Sequence, residues 1–164
     1  MSNTPVEICY RPIGVIHSPF HAVEGMPIQA AGAAGVLGTV EVFPQFSQGL
    51  QDLDGFSHVI LIYHLHRSSG FDLLVRPFMD TVNRGVFATR APKRPNSIGL
   101  SVVRLIRISE QTLQVQNVDV LDGTPLLDIK PYIPEFDHHL ADRVGWFTEA
   151  QSHVQDTKAD NRFQ

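Results

Sequence analysis

Residues 98–120 read IGLSVVRLIRISEQTLQVQNVDV, two runs of alternating side chains around a short polar break. In the run from Ile98 to Ser109, the residues in phase are Leu100, Val102, Arg104, Ile106 and Ile108. The run from Thr112 to Val120 sets Leu113 and Val115 against polar glutamines. A period of two residues is typical of β-strands that have one buried face. The stretch therefore predicts a hairpin that turns at Ser109–Gln111.

Other segments have the composition of short strands bounded by turn residues. They are Ile13–His17, Gly35–Phe43, Phe56–His66, Leu73–Arg76 and Leu126–Ile129. Gly38 predicts a bulge or bend within its strand, and Phe46–Leu53 fits one helical turn. Because no long segment keeps a helical period, the pattern indicates an all-β closed barrel or sandwich of short, mainly antiparallel strands with long loops.

Length and composition indicate one folded domain. The chain has 164 residues, of which 43% are hydrophobic and 18% charged, so residues 1–147 are expected to form the domain. The polar residues 148–164 predict a C-terminal tail, either mobile or docked on a partner subunit. The single cysteine, Cys9, fits a reducing compartment. The apolar run Val59–Tyr63 is too short to span a membrane, so a cytoplasmic location without a membrane partner is expected.

The charge is unevenly distributed along the chain. The net charge is −4, which by itself disfavours a nucleic-acid partner. Between Arg76 and Arg107, however, seven cations stand with one carboxylate, Asp80. A local basic face on an acidic protein is therefore expected, and it is the local potential that a polyanion meets.

The segment Gly85–Ser101 concentrates cations, prolines and turn residues between apolar runs. Pro92 and Pro95 fix the backbone and favour extended conformations in the residues before them, so Arg90 and Arg94 would be held on a stiff path. This composition predicts an anion-binding loop. The alternative is an ordinary surface loop with solvated charges.

A second turn, Asp122-Gly123-Thr124-Pro125, places a carboxylate, a hydroxyl and backbone amides at the end of a strand. It fits either a ligand-binding rim or a simple Asx turn between strands. Asp119 and Asp128 lie in the same segment beside apolar runs, where carboxylates must be paired or used.

Three histidines, His58, His64 and His66, have even spacing and would share one face of a straight strand. No cysteine pair or adjacent glutamate completes a zinc ligand set, so we expect no metal. Phosphate-binding glycine loops and nucleophile elbows have no match in the sequence either.

Several of these motifs together resemble the TsaA-like family, which includes the TrmO tRNA methyltransferases. The motifs that carry the resemblance are Ile13–Phe20, Leu53–His58, Arg84–Arg90, Arg94–Asn96 with Ile98–Ser101, and Asp122–Pro125 with Asp128–Tyr132. The resemblance implies a small β-barrel that acts as a homodimer and uses S-adenosylmethionine. The implied reaction is N6-methylation of the threonylcarbamoyl-adenosine next to the anticodon of tRNA.

The resemblance also implies which residues bind the cofactor. They are Ser18, Pro19, Phe20, His66, Arg67, Arg90, Leu100, Leu121, Asp122, Gly123 and Thr124. Their chemistry suits the molecule: Arg90 or Arg67 can clamp its carboxylate, and Asp122 can accept from ribose or amine. Phe20 and Leu100 can cover the adenine.

For the tRNA anticodon loop, Arg84, Lys93 and Arg94 are the expected phosphate or threonyl-carboxylate contacts, and Tyr132 could stack on a base. The catalytic residue remains open. The acceptor nitrogen must lose a proton, and Asp119, Asp122 and His66 are the candidates for receiving it.

Three other functions remain as alternatives. Ala91, Lys93 and Ser97 depart from residues common in the family, which leaves room for a barrel that uses S-adenosylmethionine on another acceptor. A non-enzymatic RNA- or nucleotide-binding barrel would hold an anion with the Arg90 loop and yield no methylated product. A metal-dependent barrel enzyme is the third.

Overall fold

Eight β-strands lie within the residues that the computed structural model describes, namely 6–28, 30–149 and 158–160. The strands are β1 (Gly14–His17), β2 (Leu37–Val42), β3 (His58–His64), β4 (Leu74–Val75), β5 (Arg84–Gly85), β6 (Ile98–Ser109), β7 (Thr112–Gln116) and β8 (Thr124–Pro131). β6 has the predicted bounds, β7 ends earlier than predicted, and β8 extends beyond its predicted core.

Six strands close into a barrel in the order β1-β2-β7-β6-β3-β8, and every neighbouring pair is antiparallel. The predicted all-β barrel is therefore confirmed. β6 and β7 form the predicted hairpin, with Ser109 opposite Thr112 and with Glu110 in the left-handed region at φ 54°.

The barrel interior is filled by inward-facing side chains from all six strands. On β3, Val59, Leu61 and Tyr63 are buried and alternate with outward-facing residues, as the strand period requires. Val118 and Val120, which follow β7, complete this core. Burying side chains of this size stabilises the fold by about 1.5–3 kcal/mol each.

Of the apolar residues in phase along β6, Leu100 and Ile106 do not line this core. Ser101, Val103 and Leu105 are the buried set, whereas Leu100 and Ile106 are about half exposed. A register shift between Leu105 and Arg107 then changes the phase, and Ile108 packs against the core. Both faces of this strand carry apolar residues, so the alternation alone did not identify the inner one.

Of the bulge or bend predicted at Gly38, the bulge is wrong. Pairing of β2 with β7 runs without a shift through this position, where Gly38 lies opposite Val115. A Cβ atom at Gly38 would instead meet the carbonyl oxygen of His17 and the side chain of Val118. Glycine is needed there because two other parts of the chain approach the backbone closely.

Among the described residues, helical structure is limited to short 3₁₀ segments and one α-helical turn. The predicted turn at Phe46–Leu53 appears as two 3₁₀ segments, Pro44–Leu50 and Leu53–Gly55. The others are 3₁₀ turns at Ala30–Ala33, Val86–Ala88 and Gly145–Glu149 and one α-helical turn, α1, at Pro134–Asp137. No helix in the described ranges has the length and apolar character needed to cross a membrane.

The segment between β3 and β6, residues 65–97, forms a small substructure beside the barrel. β4 and β5 pair in a two-stranded ribbon. Val75, Val86 and Ala91 bury a separate apolar cluster, against which Phe78 packs. The anion-binding loop predicted within Gly85–Ser101, called the basic loop below, is therefore anchored by its own small core.

The C-terminal residues that are described contact the chain's own domain. Trp146 donates its indole N–H to the carbonyl of Ala88 at 2.8 Å. Further on, Lys158 pairs with Pro27, and Ala159 exchanges backbone hydrogen bonds with residues 25 and 26. Residues 150–157 and 161–164 of the predicted tail lie outside the described residues.

Candidate functional site

One end of the barrel, here called the loop rim, is where β1 and β3 end and where β6 and β8 begin. The antiparallel order brings together the residues just beyond these strand ends. The rim thus collects Ser18–Phe20 after β1, His66 and Arg67 after β3, Leu100 near the start of β6, and Leu121–Thr124 at the start of β8. The predicted cofactor residues, which the sequence scatters over more than a hundred positions, therefore converge on one rim.

Ser18 and Asp122 join the first two loops of the rim. The Ser18 backbone N–H donates to Asp122 Oδ1 at 3.1 Å, and its hydroxyl donates to the Val120 carbonyl at 2.5 Å. In return, the Asp122 N–H donates to the Phe20 carbonyl at 2.7 Å. Gly123 has φ 77°, a conformation that glycine adopts without strain. The two loops are thus one hydrogen-bonded unit.

Asp122 carries a stable negative charge at this unit. The hydrogen bond from the Ser18 N–H is the largest cause that lowers its pKa, with His17 and His21 contributing further. His17 Nδ1 lies 3.4 Å from Oδ1, and His21 Nδ1 lies 3.4 Å from Oδ2. An ionised carboxylate that is partly exposed is suited to accept hydrogen bonds from a ribose or an ammonium group.

His66 is held against the same unit through Thr124. The His66 Nδ1 atom lies 3.4 Å from the Thr124 hydroxyl oxygen. Thr124 is buried, and its hydroxyl donates to the Leu121 carbonyl at 2.8 Å. Partial burial, Arg67 and His64 lower the pKa of His66, in that order, so the imidazole is neutral at physiological pH.

Beneath the rim, three polar side chains form a hydrogen-bonded chain. The Tyr63 hydroxyl lies 2.9 Å from Ser101 Oγ, and Ser101 donates to Asp119 Oδ1 at 2.6 Å. Burial raises the pKa of Tyr63 and that of Asp119. Arg90 acts in the opposite direction on both, because its positive charge favours their ionised forms. Arg90 is therefore brought near the rim by the folding of the basic loop.

The basic loop holds its shape through one of its own cations. Arg94 Nη1 donates to the carbonyls of Thr89 and Ala91, each at 3.1 Å, on either side of Arg90. Arg84 donates from Nε to Asp80 at 2.7 Å and lowers the pKa of that carboxyl. Two of the cations expected to bind RNA thus have structural partners within the loop region.

Tyr132 stands apart from the other predicted site residues. It follows β8, so it lies at the end of the barrel opposite the loop rim, about 25 Å along the strand. Its ring packs edge-on against His58, with ring centroids 6.2 Å apart.

The three histidines are also separated. His58 and His64 mark opposite ends of β3, and His66 lies beyond its end. Among the described residues, no group of three or more histidine, cysteine, aspartate or glutamate side chains could hold a metal ion.

Sequence patterns missed two features of the site. The first is the set of hydrogen bonds that links Tyr63, Ser101 and Asp119. A hydroxyl at position 101 within an apolar strand was the signal that could have predicted it. The contact between Trp146 and Ala88 joins residues 58 positions apart and has no local signal.

Comparison with known proteins decides the family. The sequence model of the family described as tRNA-methyltransferase O N-terminal domain matches residues 15–138. This range includes all of β1 to β8 except Gly14. The chain belongs to this family. The matched range holds every residue of the loop rim described above.

Relatives share the sequence of this chain to different extents. A protein of Pyrococcus abyssi described as a probable S-adenosyl-L-methionine-binding protein is 55% identical over 159 residues, which cover 97% of this chain and 86% of that protein. A mouse protein named tRNA (adenine(37)-N6)-methyltransferase is 34% identical over 134 residues, covering 77% of this chain and 31% of the mouse protein.

A crystal structure of TrmO from Pseudomonas aeruginosa has the same fold. It superposes with a TM-score of 0.72 at 39% identity and covers 86% of this chain. The alignment accounts for 63% of the Pseudomonas chain, so this chain spans about two thirds of that protein and about one third of the mouse relative.

Proposed function

We propose that this protein binds S-adenosylmethionine at the loop rim and transfers its methyl group to N6 of an adenosine in tRNA. The adenosine is the threonylcarbamoyl-modified one next to the anticodon. The single observation that carries the proposal is the unit formed by Ser18–Phe20 and Leu121–Thr124, with His66 and Arg90 beside it. The names of the Pyrococcus and mouse relatives support the cofactor and the reaction.

The residues of the rim fit the groups that this cofactor presents. Asp122 is an ionised acceptor for the ribose hydroxyls or the amino group. Arg90 supplies a guanidinium for the carboxylate, and exposed Leu100 offers an apolar face for the adenine. When bound, S-adenosylmethionine supplies an electrophilic methyl group on a sulfonium.

The protein's main contribution to the reaction is alignment. A methyl displacement needs the acceptor nitrogen, the carbon and the sulfur in line, and holding reactants in this geometry can supply several kcal/mol of the barrier reduction. The hydrogen bonds between Ser18 and Asp122 and from Arg94 to the Arg90 loop provide a stiff frame for this purpose.

Lys93, Arg94 and Arg84 give the basic loop a positive potential for the tRNA phosphates or the threonyl carboxylate. With Arg94 and Arg84 engaged within the loop region, Lys93 is the cation best suited to a phosphate contact. This arrangement assigns structural and binding roles to different cations of the same loop.

We propose in addition that the protein acts as a homodimer. Leu73, Leu74 and Phe87 of the 65–97 substructure are more than half exposed and lie in the segment that carries the basic loop. Apolar side chains of this size are typical of protein interfaces. Sedimentation equilibrium tests the assembly, and a monomer at micromolar concentration would remove the dimer from the proposal.

The function is tested by transfer of a tritiated methyl group from S-adenosylmethionine to tRNA. One tRNA sample carries the threonylcarbamoyl modification, and a transcript of the same sequence lacks it. We expect label in the modified tRNA alone, with N6-methylated threonylcarbamoyl-adenosine after digestion. Label in both samples would refute the requirement for the modification, and binding of cofactor without label in either would refute tRNA as the substrate.

A further inference from the structure

The proposed reaction leaves a proton to be removed. The adenine nitrogen that accepts the methyl group carries a hydrogen, and the new N–C bond makes that hydrogen acidic. A nearby base must receive it. Three titratable side chains near the rim, Asp119, Asp122 and His66, differ sharply in their capacity to do so.

Asp122 is a weak base. Its carboxylate accepts the Ser18 N–H, has two histidines at 3.4 Å, and has a lowered pKa. Each of these interactions stabilises the ionised form and so reduces its tendency to take up a proton.

Asp119 is the stronger base of the two carboxylates, but its geometry is unfavourable. Its Oδ1 atom accepts the Ser101 hydroxyl at 2.6 Å, and Ser101 lies inside the barrel with only 4% of its surface exposed. The hydrogen-bonded chain leads from Asp119 inward to Tyr63 rather than outward to the rim loops.

His66 has its donor and acceptor nitrogens defined by Thr124. The Thr124 hydroxyl has one hydrogen, which it donates to the Leu121 carbonyl at 2.8 Å. Its oxygen can therefore only accept from His66 Nδ1, so Nδ1 carries the imidazole proton. In a neutral imidazole the other nitrogen, Nε2, then keeps its lone pair. The ring also makes a hydrogen bond to the His64 backbone, which acts to raise its pKa.

We infer that His66 Nε2 is the proton acceptor of the methyl transfer, an inference that rests on the proposed function. The adenine nitrogen uses its lone pair to form the bond to carbon, and the electron pair of the broken C–S bond stays on sulfur. The N–H proton moves to Nε2, and the resulting imidazolium releases it to solvent. Thr124 is a positioning residue, because it sets the tautomer of His66.

The charged groups around His66 fit this role. Partial burial and the charges of Arg67 and His64 disfavour a second proton on the ring and together outweigh the opposite effect of the hydrogen bond to the His64 backbone. They keep the base unprotonated at physiological pH and help the imidazolium to lose its proton after each turnover. A base of this kind contributes about 10²- to 10⁴-fold to the rate.

The test uses His66→Asn, whose amide nitrogen can replace Nδ1 as a donor to Thr124 but which has no counterpart of Nε2. The matched control is His139→Asn, an exposed histidine beyond α1 that has no part in the proposed site. Binding of S-adenosylhomocysteine is measured by calorimetry, and single-turnover methyl transfer to modified tRNA is measured from pH 5 to pH 9.

We expect H66N to bind S-adenosylhomocysteine within about threefold of the wild type and to lose methyl transfer at least about 100-fold at pH 8. The wild-type rate should fall at acidic pH, with an apparent pKa below 6.5, and this fall should be absent in H66N. H139N should keep the wild-type rate at pH 8. An H66N rate within threefold of wild type, or loss of cofactor binding in H66N, would overturn the inference.

A second measurement separates this inference from the proposed function. Imidazole ¹⁵N shifts of His66, assigned by comparison with H66N, report which nitrogen is protonated in the free protein. We expect the Nδ1–H tautomer, and an Nε2–H tautomer would overturn the inference whatever the activity. A wild-type protein that has the Nδ1–H tautomer but transfers no methyl group would refute the proposed function and leave His66 in the protonation state inferred here.

Discussion

Tyr63 on β3 and Gly99 on β6 face each other across the sheet, and the tyrosine ring fills the space that a side chain at position 99 would need. This contact lets the Tyr63 hydroxyl reach Ser101, two residues further along β6. The absence of a side chain at position 99 thereby allows the hydrogen bonds that link Tyr63, Ser101 and Asp119 beneath the loop rim.

Gly99→Ala should destabilise the fold by about 1–3 kcal/mol, because the new methyl group overlaps the Tyr63 ring in a packed interior. Urea unfolding measures the change. Gly85→Ala is the control: no atom lies within 4 Å of a Cβ there, and the φ of −57° suits alanine. Equal stability of the two variants would show that Tyr63 moves aside at little cost.

Asp119→Asn should make the fold more stable than the wild type at pH 7, by an amount that shrinks as the pH falls toward 4. Burial raises the pKa of Asp119 in the folded protein, so between the unfolded and folded values the folded state binds more protons. Wild-type stability therefore decreases as the pH rises through that window. Asparagine does not titrate and still offers Ser101 an acceptor oxygen.

The difference in unfolding free energy between D119N and wild type is read from urea curves at several pH values. Asp54→Asn, an exposed carboxylate outside this hydrogen-bonded chain, serves as the control. A D119N difference that does not vary with pH would contradict the raised pKa.

Arg90→Ala should weaken binding of S-adenosylmethionine at least about 30-fold, the factor for about 2 kcal/mol from the loss of one partner of a charge pair. Arg107→Ala, which removes an exposed arginine from the β6–β7 hairpin, should leave the affinity unchanged. Calorimetric titration compares the two. Wild-type affinity in R90A would remove Arg90 from the cofactor site.

Lys93→Ala and Arg94→Ala should have different effects although the two cations are adjacent. Loss of Lys93 should weaken tRNA binding and reduce the slope of log affinity against log salt by about 1, with no effect on cofactor affinity. Loss of Arg94 frees the carbonyls of Thr89 and Ala91 and should weaken cofactor binding about tenfold. Filter binding and calorimetry on both variants give the comparison, and identical profiles would refute separate roles.

Local patterns predicted the barrel well because its strands are short, alternating and bounded by turn residues. β6 was predicted to its end residues. The buried face of β6 was not predicted, because both of its faces carry apolar side chains: Leu100 and Ile106 on one, Val103 and Leu105 on the other. Only the closure of the barrel decides which set is buried, and closure is a property of six strands together.

The same limit applies to the site. The motifs identified the loops of the rim, because turn chemistry and charge density are local. The roles of individual cations depend on partners that folding supplies, as Asp80 does for Arg84. Tyr132 has a suitable chemistry for stacking, but its place after β8 puts it at the far end of the barrel. No pattern along the chain predicts that separation without the topology.

Within the described barrel, each of the six strands already has two hydrogen-bonded neighbours, so the barrel has no edge strand. A second copy cannot add to it by extending the sheet, and edge-to-edge aggregation has no template there. Any assembly through the barrel must instead be encoded in side chains. Surface substitutions that leave the core intact should therefore be able to change the quaternary state without unfolding the barrel.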